Sequence, residues 1–133
     1  MEIWGHAAER ALRTPVFGQG IDASRSLPPD GEVSEFSPIG DSLLPLHPHN
    51  AFLQVWLETG AVGAALALAV LLMLLAATAR LDDRAQPFAL ALFAAALAMG
   101  STAYGIWQPW WMSGFLAAAL MLRLAARIGE KTR

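Results

Sequence analysis

Two histidines at the start of a long apolar stretch are the side chains of this chain best suited to chemistry. His47 and His49 lie just before Asn50, and Gly60 and Gly63 follow within the apolar stretch. Because the unperturbed pKa of histidine lies near neutrality, a neutral His49 imidazole could accept a proton from a hydroxyl group as a general base. The alternative is an interfacial histidine that only binds a carbonyl group or a lipid headgroup.

The His-x-His spacing also raises the question of a metal site. Two histidines leave a zinc site incomplete, and the candidates for a third ligand, His6 and Asp41, lie far away in the sequence. The chain has no cysteine, which excludes a thiolate ligand, a cysteine nucleophile and a disulfide. It also lacks the glycine-rich motifs that bind nucleotide phosphates. We therefore predict a site that uses no metal and no other cofactor.

The elements that must position these histidines are apolar and helical. Of the 133 residues, 56% are hydrophobic and 15% are charged, outside the range of ordinary soluble domains. A membrane-spanning helix needs about 20 apolar residues. The sequence predicts an all-α membrane protein with three transmembrane helices, at about 57–79, 87–105 and 110–126. A buried hairpin of a soluble protein is the alternative, but so small a domain could not cover three helices that are apolar on all sides.

Charged residues are distributed asymmetrically, which predicts the orientation of these spans. Arg80 and Arg84 lie in the first short connection, and four further basic residues follow residue 122. The first 52 residues hold three arginines and seven acidic residues. Because basic residues favour the cytoplasmic side, we expect the connection and the tail to be cytoplasmic and His49 to face outward. The acidic outer segment also argues against a nucleic-acid partner.

The outer segment, residues 1–52, is predicted to contain a short amphipathic helix and a long loop. Apolar residues recur at helical spacing over residues 2–13, and Pro15 ends this helix. Residues 14–48 show no sustained period and are predicted to form the loop. Because the segment faces outward without a signal peptide, we expect the chain to be the C-terminal piece of a larger membrane protein.

The transmembrane region, residues 53–133, is predicted to begin with one long helix. Asn50 is a suitable N-cap for it. The helix is longer than the hydrocarbon core of a bilayer, so we expect its first turns to lie at or above the interface, with a break or bend near Gly60. Gly60 and Gly63 would allow close packing against another helix.

Aromatic and basic residues on the outward side each allow two interpretations. Three tryptophans form either an aromatic belt at the membrane interface or a platform for a sugar or polyprenyl chain: Trp107, Trp110 and Trp111. Three arginines are either phosphate ligands or solvated charges: Arg10, Arg13 and Arg25.

The residues around His49 resemble the histidine motif of the O-antigen ligase family, which also includes polysaccharide polymerases. The run His49-Asn50-x9-Gly60-x-x-Gly63 is similar to that motif in residues and spacing. Two flanking passages are similar as well: Glu2-Ile3-Trp4 followed by Thr14-Pro15-Val16-Phe17-Gly18-Gln19-Gly20, and the aromatic turn at residues 104–111. The resemblance covers nearly the whole chain, in order.

The resemblance implies a multi-pass glycosyltransferase of the bacterial inner membrane that acts in lipopolysaccharide biosynthesis. Such an enzyme transfers a glycan from undecaprenyl pyrophosphate to a sugar hydroxyl of lipid A–core, without a metal. The expected partners are this lipid-linked donor, a lipid A–core or glycan acceptor, and membrane lipid. The resemblance implies that His49, on the periplasmic side, deprotonates the acceptor hydroxyl, and that the attack inverts the anomeric carbon. Asn50 is a candidate substrate contact.

The chain departs from the family pattern in one respect. An arginine of the family normally lies just before the Glu-x-Trp stretch, whereas this chain starts at Met1, and its other arginines do not match that position. We therefore expect this chain alone to be inactive. Two other functions remain open. A polysaccharide polymerase would use a growing glycan as acceptor, and a non-catalytic membrane fragment would have an inert His49.

Overall fold

The computed structural model describes residues 2–26, 47–102 and 105–131, and the regular secondary structure of these residues is helical. These residues contain no strand, so the predicted all-α class is confirmed. Four α-helices and one short 3-10 helix, η1, follow one another along the chain: α1 Glu2–Arg13, η1 Ala23–Arg25, α2 Ala51–Thr78, α3 Gln86–Thr102 and α4 Pro109–Lys131.

Helix α1 packs against the first half of α2 through small residues. Ala7 and Ala11 lie four residues apart on one face of α1 and are fully buried, as is Leu57 of α2. Partly buried apolar side chains surround this cluster: Ile3, Leu53 and Trp56. Because alanine projects only a methyl group, the two helices approach closely. The range of α1 coincides with the helix that the sequence indicated at residues 2–13.

Helix α2 begins with the expected cap and is divided by a break at Gly60. The side chain of Asn50 accepts a hydrogen bond from the Leu53 amide at 3.0 Å. Gly60 has φ 65° and ψ −165°, which is not helical, so the predicted break near this residue is confirmed. The first half of α2 is largely buried, whereas the half from Ala61 to Thr78 exposes large apolar side chains.

The apolar half of α2, helix α3 and helix α4 present hydrophobic side chains outward. Among the described residues, α2 is the one helix that is long and apolar enough to cross a membrane. Helix α3 is apolar but shorter, with 17 residues. Residue Gly100 of α3 faces Ala51, which places the end of α3 beside the start of α2. The loop predicted at 14–48 contains η1, which sequence reasoning missed; its residues 27–46 lie outside the described residues.

Candidate functional site

A loop inserts its backbone into the break in α2. At Gly60 the helical hydrogen bonds of α2 are interrupted, which leaves carbonyl groups before the break and amide groups after it. The loop formed by residues 15–20 supplies their partners. Four backbone hydrogen bonds join the two segments: Gln19 to Leu57 at 3.0 Å, Gly20 to Glu58 at 2.8 Å, Ala61 to Pro15 at 2.8 Å and Val62 to Val16 at 3.2 Å. This loop therefore takes the place of one helical turn.

Two glycines make this insertion possible. Gly18 and Gly60 both have positive φ, at 70° and 65°, a conformation that residues with a Cβ rarely adopt. A Cβ on Gly60 would overlap the backbone of Val16, and one on Gly18 would overlap the backbone of Glu58. The close approach at Gly60 is thus to the 15–20 loop. Gly63, whose expected role was also close packing, faces the side chain of Thr59 one turn earlier in α2.

His49 stands at the N-terminal end of α2 with its side chain exposed. Its φ of 52° is left-handed, so the chain turns sharply just before Asn50 caps the helix. The preceding residue, Pro48, is buried, and its carbonyl accepts a hydrogen bond from the Trp4 indole at 3.0 Å. Helix α1 therefore fixes the backbone from which the His49 imidazole projects toward solvent.

His47 lies beneath His49 in a buried position. The two imidazole rings meet edge to face, with centroids 4.3 Å apart. Nδ1 of His47 is buried and has no hydrogen-bond partner. Burial lowers the pKa of His47 below its ordinary value of 6.5, and the nearby charges of His49 and Arg25 lower it further. His47 is consequently a neutral ring against which His49 packs.

A buried carboxylate lies within α2, nine residues after His49 in the sequence. The side chain of Glu58 is 1% exposed. Its two oxygens accept hydrogen bonds from five donors: the amides of Asp22 (2.8 Å) and Ser24 (3.4 Å), the hydroxyl of Ser24, the Gln54 amide nitrogen (3.0 Å) and the Trp107 indole. Every donor is neutral. The carboxylate therefore joins η1, α2 and the turn at residues 105–108.

Gln54 extends this arrangement toward His47. Its amide nitrogen donates to Glu58, and its amide oxygen accepts a hydrogen bond from the Ile106 backbone at 3.0 Å. Gly105, in the same turn, lies against the ring of His47, because a Cβ there would come within 3.0 Å of His47 Cδ2. We call Glu58, Gln54 and their hydrogen-bond donors the Glu58 network.

Sequence reasoning missed the Glu58 network, although the sequence carried a signal for it. Glu58 is the sole charged residue between Ala51 and Ala79, and Gln54 precedes it by one helical turn. A lone acid at the edge of an apolar helix requires buried partners. Its other donors come from Asp22, Ser24 and Trp107, which are 34 to 49 residues away, and nothing local in the sequence identifies them.

Comparison with known families matches the half of the chain that contains the histidines. Residues 1–68 match the sequence profile of the O-antigen ligase family, and this match includes α1, the 15–20 loop, His49 and the break at Gly60. The chain belongs to the O-antigen ligase family. The matched region excludes the 105–108 turn, which completes the Glu58 network from outside it.

Individual relatives of this O-antigen ligase family member come from Rickettsia and are named as polysaccharide ligases. The Rickettsia conorii protein is 29% identical over 127 residues, or 94% of this chain. The Rickettsia bellii protein is 28% identical over 127 residues, and the Rickettsia typhi protein is 33% identical over 126 residues. The chain spans 31% of the length of the first two relatives and 30% of the third. No solved structure matches the chain.

The tryptophans predicted as a belt or a platform differ from one another in this ligase family member. Trp107 donates to Glu58 and so belongs to the Glu58 network. Trp111 is buried and packs edge to face on Phe115, with centroids 4.6 Å apart. Trp110 is 56% exposed and packs edge to face on Trp111, with centroids 6.0 Å apart.

The predicted arginines also lie in different environments. Arg10 is buried, and its Nε donates to Nε2 of His6 at 3.1 Å. Arg25 forms an ion pair with Asp22 at 3.0 Å, and both side chains are about half exposed. Arg13 is exposed at the end of α1. In the part of the chain that the structure describes, no three His, Cys, Asp or Glu side chains form a group suited to a metal. Asp41 lies outside the described residues.

Proposed function

We propose that this chain is the part of a membrane polysaccharide ligase that carries the general base, His49. One observation supports this role above all others. The His49 imidazole is exposed, whereas the backbone on both sides of it is fixed by the Trp4–Pro48 hydrogen bond and by the Asn50 cap. An accessible imidazole on a fixed backbone is what proton abstraction from a bound substrate requires.

The proposed reaction is transfer of a glycan to a sugar hydroxyl. The His49 imidazole accepts the hydroxyl proton while the hydroxyl oxygen attacks the anomeric carbon of the donor sugar. The bond between that carbon and the pyrophosphate oxygen breaks, and undecaprenyl pyrophosphate leaves with the bonding electrons. The anomeric configuration is inverted, and His49 carries the proton. In this proposal the acceptor is lipid A–core, and no metal or cofactor takes part.

Asn50 is proposed to contact substrate through its amide nitrogen. Its side-chain oxygen accepts the capping bond from Leu53, so the nitrogen is the atom of this amide that can act as a further donor. Asn50 directly follows His49, which would place this donor near the reacting hydroxyl group.

The proposed setting is the bacterial inner membrane, with His49 on the periplasmic side. The apolar half of α2, helix α3 and helix α4 would provide three spans, and their exposed apolar side chains support this. After the break, α2 continues for about 27 Å at 1.5 Å per residue, close to the thickness of a hydrocarbon core. The arginines at positions 80 and 84 favour a cytoplasmic first connection.

Substitution of His49 in the complete ligase tests this proposal. The gene that encodes this chain is expressed in a strain without its own ligase, and transfer of glycan onto lipid A–core is measured. His49→Ala should reduce transfer at least a hundredfold at normal protein levels, because general-base catalysis contributes 10² to 10⁴. His47→Ala should reduce transfer less. Near-normal transfer by the His49→Ala protein would refute the proposal. Extension of the glycan without transfer to lipid A–core would instead indicate a polymerase.

A further inference from the structure

Removal of the Glu58 carboxylate from water has a high electrostatic cost, so the presence of an acid at this buried position requires an explanation. A carboxylate removed from water is stable only when donors replace its hydration, and an apolar side chain of similar size would often stabilise the same site better. The five donors around Glu58 provide that replacement, and all of them are neutral. Stability alone therefore does not account for an acid at this position.

The contacts of Glu58 connect it to His49 through a short series of packed groups. Glu58 and Gln54 together bind the 105–108 turn, through the Trp107 indole and the Ile106 amide. Gly105 of this turn lies against His47, and the His47 ring packs on His49. Movement of the turn would thus move His47 and then His49.

We propose that Glu58 is a positioning residue for His49. It binds the 105–108 turn in the one place where Gly105 supports His47, and His47 in turn sets the direction of the His49 imidazole. Glu58 also accepts hydrogen bonds from the amides of Asp22 and Ser24, which joins η1 to the same network. This inference rests on the proposed function of His49 as the base.

An ionised carboxylate is the group that suits this role, because it only accepts hydrogen bonds. Glu58 receives donors at both of its oxygens. In Glu58→Gln the side-chain amide would direct N–H groups at one set of these donors, whichever way it is oriented. One side of the network would therefore separate: either the Ser24 and Gln54 donors at Oε1, or the Asp22 amide and the Trp107 indole at Oε2, would lose their acceptor.

The first experiment measures glycan transfer by the complete ligase that carries Glu58→Gln. The concentration of the donor and the pH are varied. We expect kcat to fall about a hundredfold and KM to change less than threefold, since a displacement of about 1 Å at a catalytic group can have that effect. Glu58→Asp should recover part of the loss. The matched control is Glu9→Gln, the same chemical change on an exposed carboxylate of α1, which should keep normal kcat.

A double-mutant cycle with His49→Ala separates positioning from general damage. If Glu58 acts through His49, Glu58→Gln should have no further effect on the residual transfer of the His49→Ala protein, because groups that act as a unit are not additive. A second multiplicative loss in the double mutant would overturn the proposal.

Gly105→Ala tests the contacts between the turn, His47 and His49 while Glu58 is unchanged. It is the alternative test if the Glu58→Gln protein does not fold. The new methyl group would lie 3.0 Å from Cδ2 and 3.2 Å from Cγ of His47, so the ring must shift by a few tenths of an ångström. We expect kcat to fall about tenfold. We also expect the acidic limb of the plot of kcat against pH to shift. Gly114→Ala is the control, because nothing lies within 4 Å of its added Cβ.

The outcomes distinguish this inference from the function on which it rests. Loss of transfer in His49→Ala with a normal kcat in both Glu58→Gln and Gly105→Ala would overturn the positioning role and leave the base in place. Normal transfer in His49→Ala would overturn the proposed function itself.

Discussion

Replacing Gly60 by alanine should straighten α2 and release the 15–20 loop. Retaining the break would place alanine at φ 65° and ψ −165°, a region that essentially only glycine occupies, at a cost of about 1–3 kcal/mol. Its Cβ would also overlap the backbone of Val16. A straight helix avoids both penalties, so we expect Gly60→Ala to adopt it.

The cost of straightening follows from the hydrogen bonds at the break. All four bonds between the loop and α2 are lost. A continuous helix regains two of them, because the amides of Ala61 and Val62 would donate to the carbonyls of Leu57 and Glu58. At about 1 kcal/mol for each net bond, the protein loses roughly 2 kcal/mol of unfolding free energy before any disturbance of the Glu58 network is counted.

Amide hydrogen exchange of the complete protein in lipid nanodiscs is the assay that identifies this change. In Gly60→Ala the amides of Gln19 and Gly20 should exchange rapidly, whereas those of Ala61 and Val62 should stay protected within the continuous helix. Gly5→Ala, at a helical glycine with open space around it, is the control and should leave all four amides unchanged. Wild-type protection of residues 19 and 20, with unfolding free energy within about 0.5 kcal/mol of the Gly5→Ala protein, would refute this reasoning.

Two further predictions concern the N-terminal end of α2. Asn50→Ala should lower the unfolding free energy by about 1 kcal/mol, because the Leu53 amide loses its cap; Asn50→Asp, which keeps an acceptor, should lower it less, and equal losses would contradict the capping role. The pKa of His47 is lowered in the folded protein, so the unfolded chain binds more protons as the pH falls. The contribution of His47 to the unfolding free energy should therefore be constant above pH 6.5 and decrease as the pH drops below it. Thermal unfolding across this range should show a smaller fall for His47→Gln, and an identical fall would contradict this assignment.

The parts of the fold that the sequence predicts are those determined by neighbouring residues. The spacing of apolar residues indicates α1, the amide of Asn50 indicates the start of α2, and the length of α2 indicates a break near Gly60. Each depends on groups within one or two helical turns. The prediction that Gly60 serves helix packing misses what the structure adds, because the partner at Gly60 is a backbone loop more than 40 residues earlier in the chain.

The candidate site, like the fold, can be predicted only in part from the sequence. A histidine beside a helix cap is visible in the sequence, and His49 is found there with its side chain exposed. The contacts that fix its surroundings are not visible, since Trp4 reaches Pro48 across 44 residues and Ile106 reaches Gln54 across 52. Such pairs depend on the tertiary fold, and no local preference of either residue encodes them.

If the chain spans a membrane as proposed, the loop inserted into α2 also disfavours one kind of wrong topology. A chain with its first 26 residues and the start of α2 on opposite sides of a bilayer could not form the four loop bonds. The carbonyls of Leu57 and Glu58 would lose their loop partners, and the Glu58 carboxylate would lose its donors from η1. Unpaired polar groups are most costly in a lipid environment. The N-terminal segment and the start of α2 must therefore lie on the same side of the proposed membrane for the break in α2 to be satisfied.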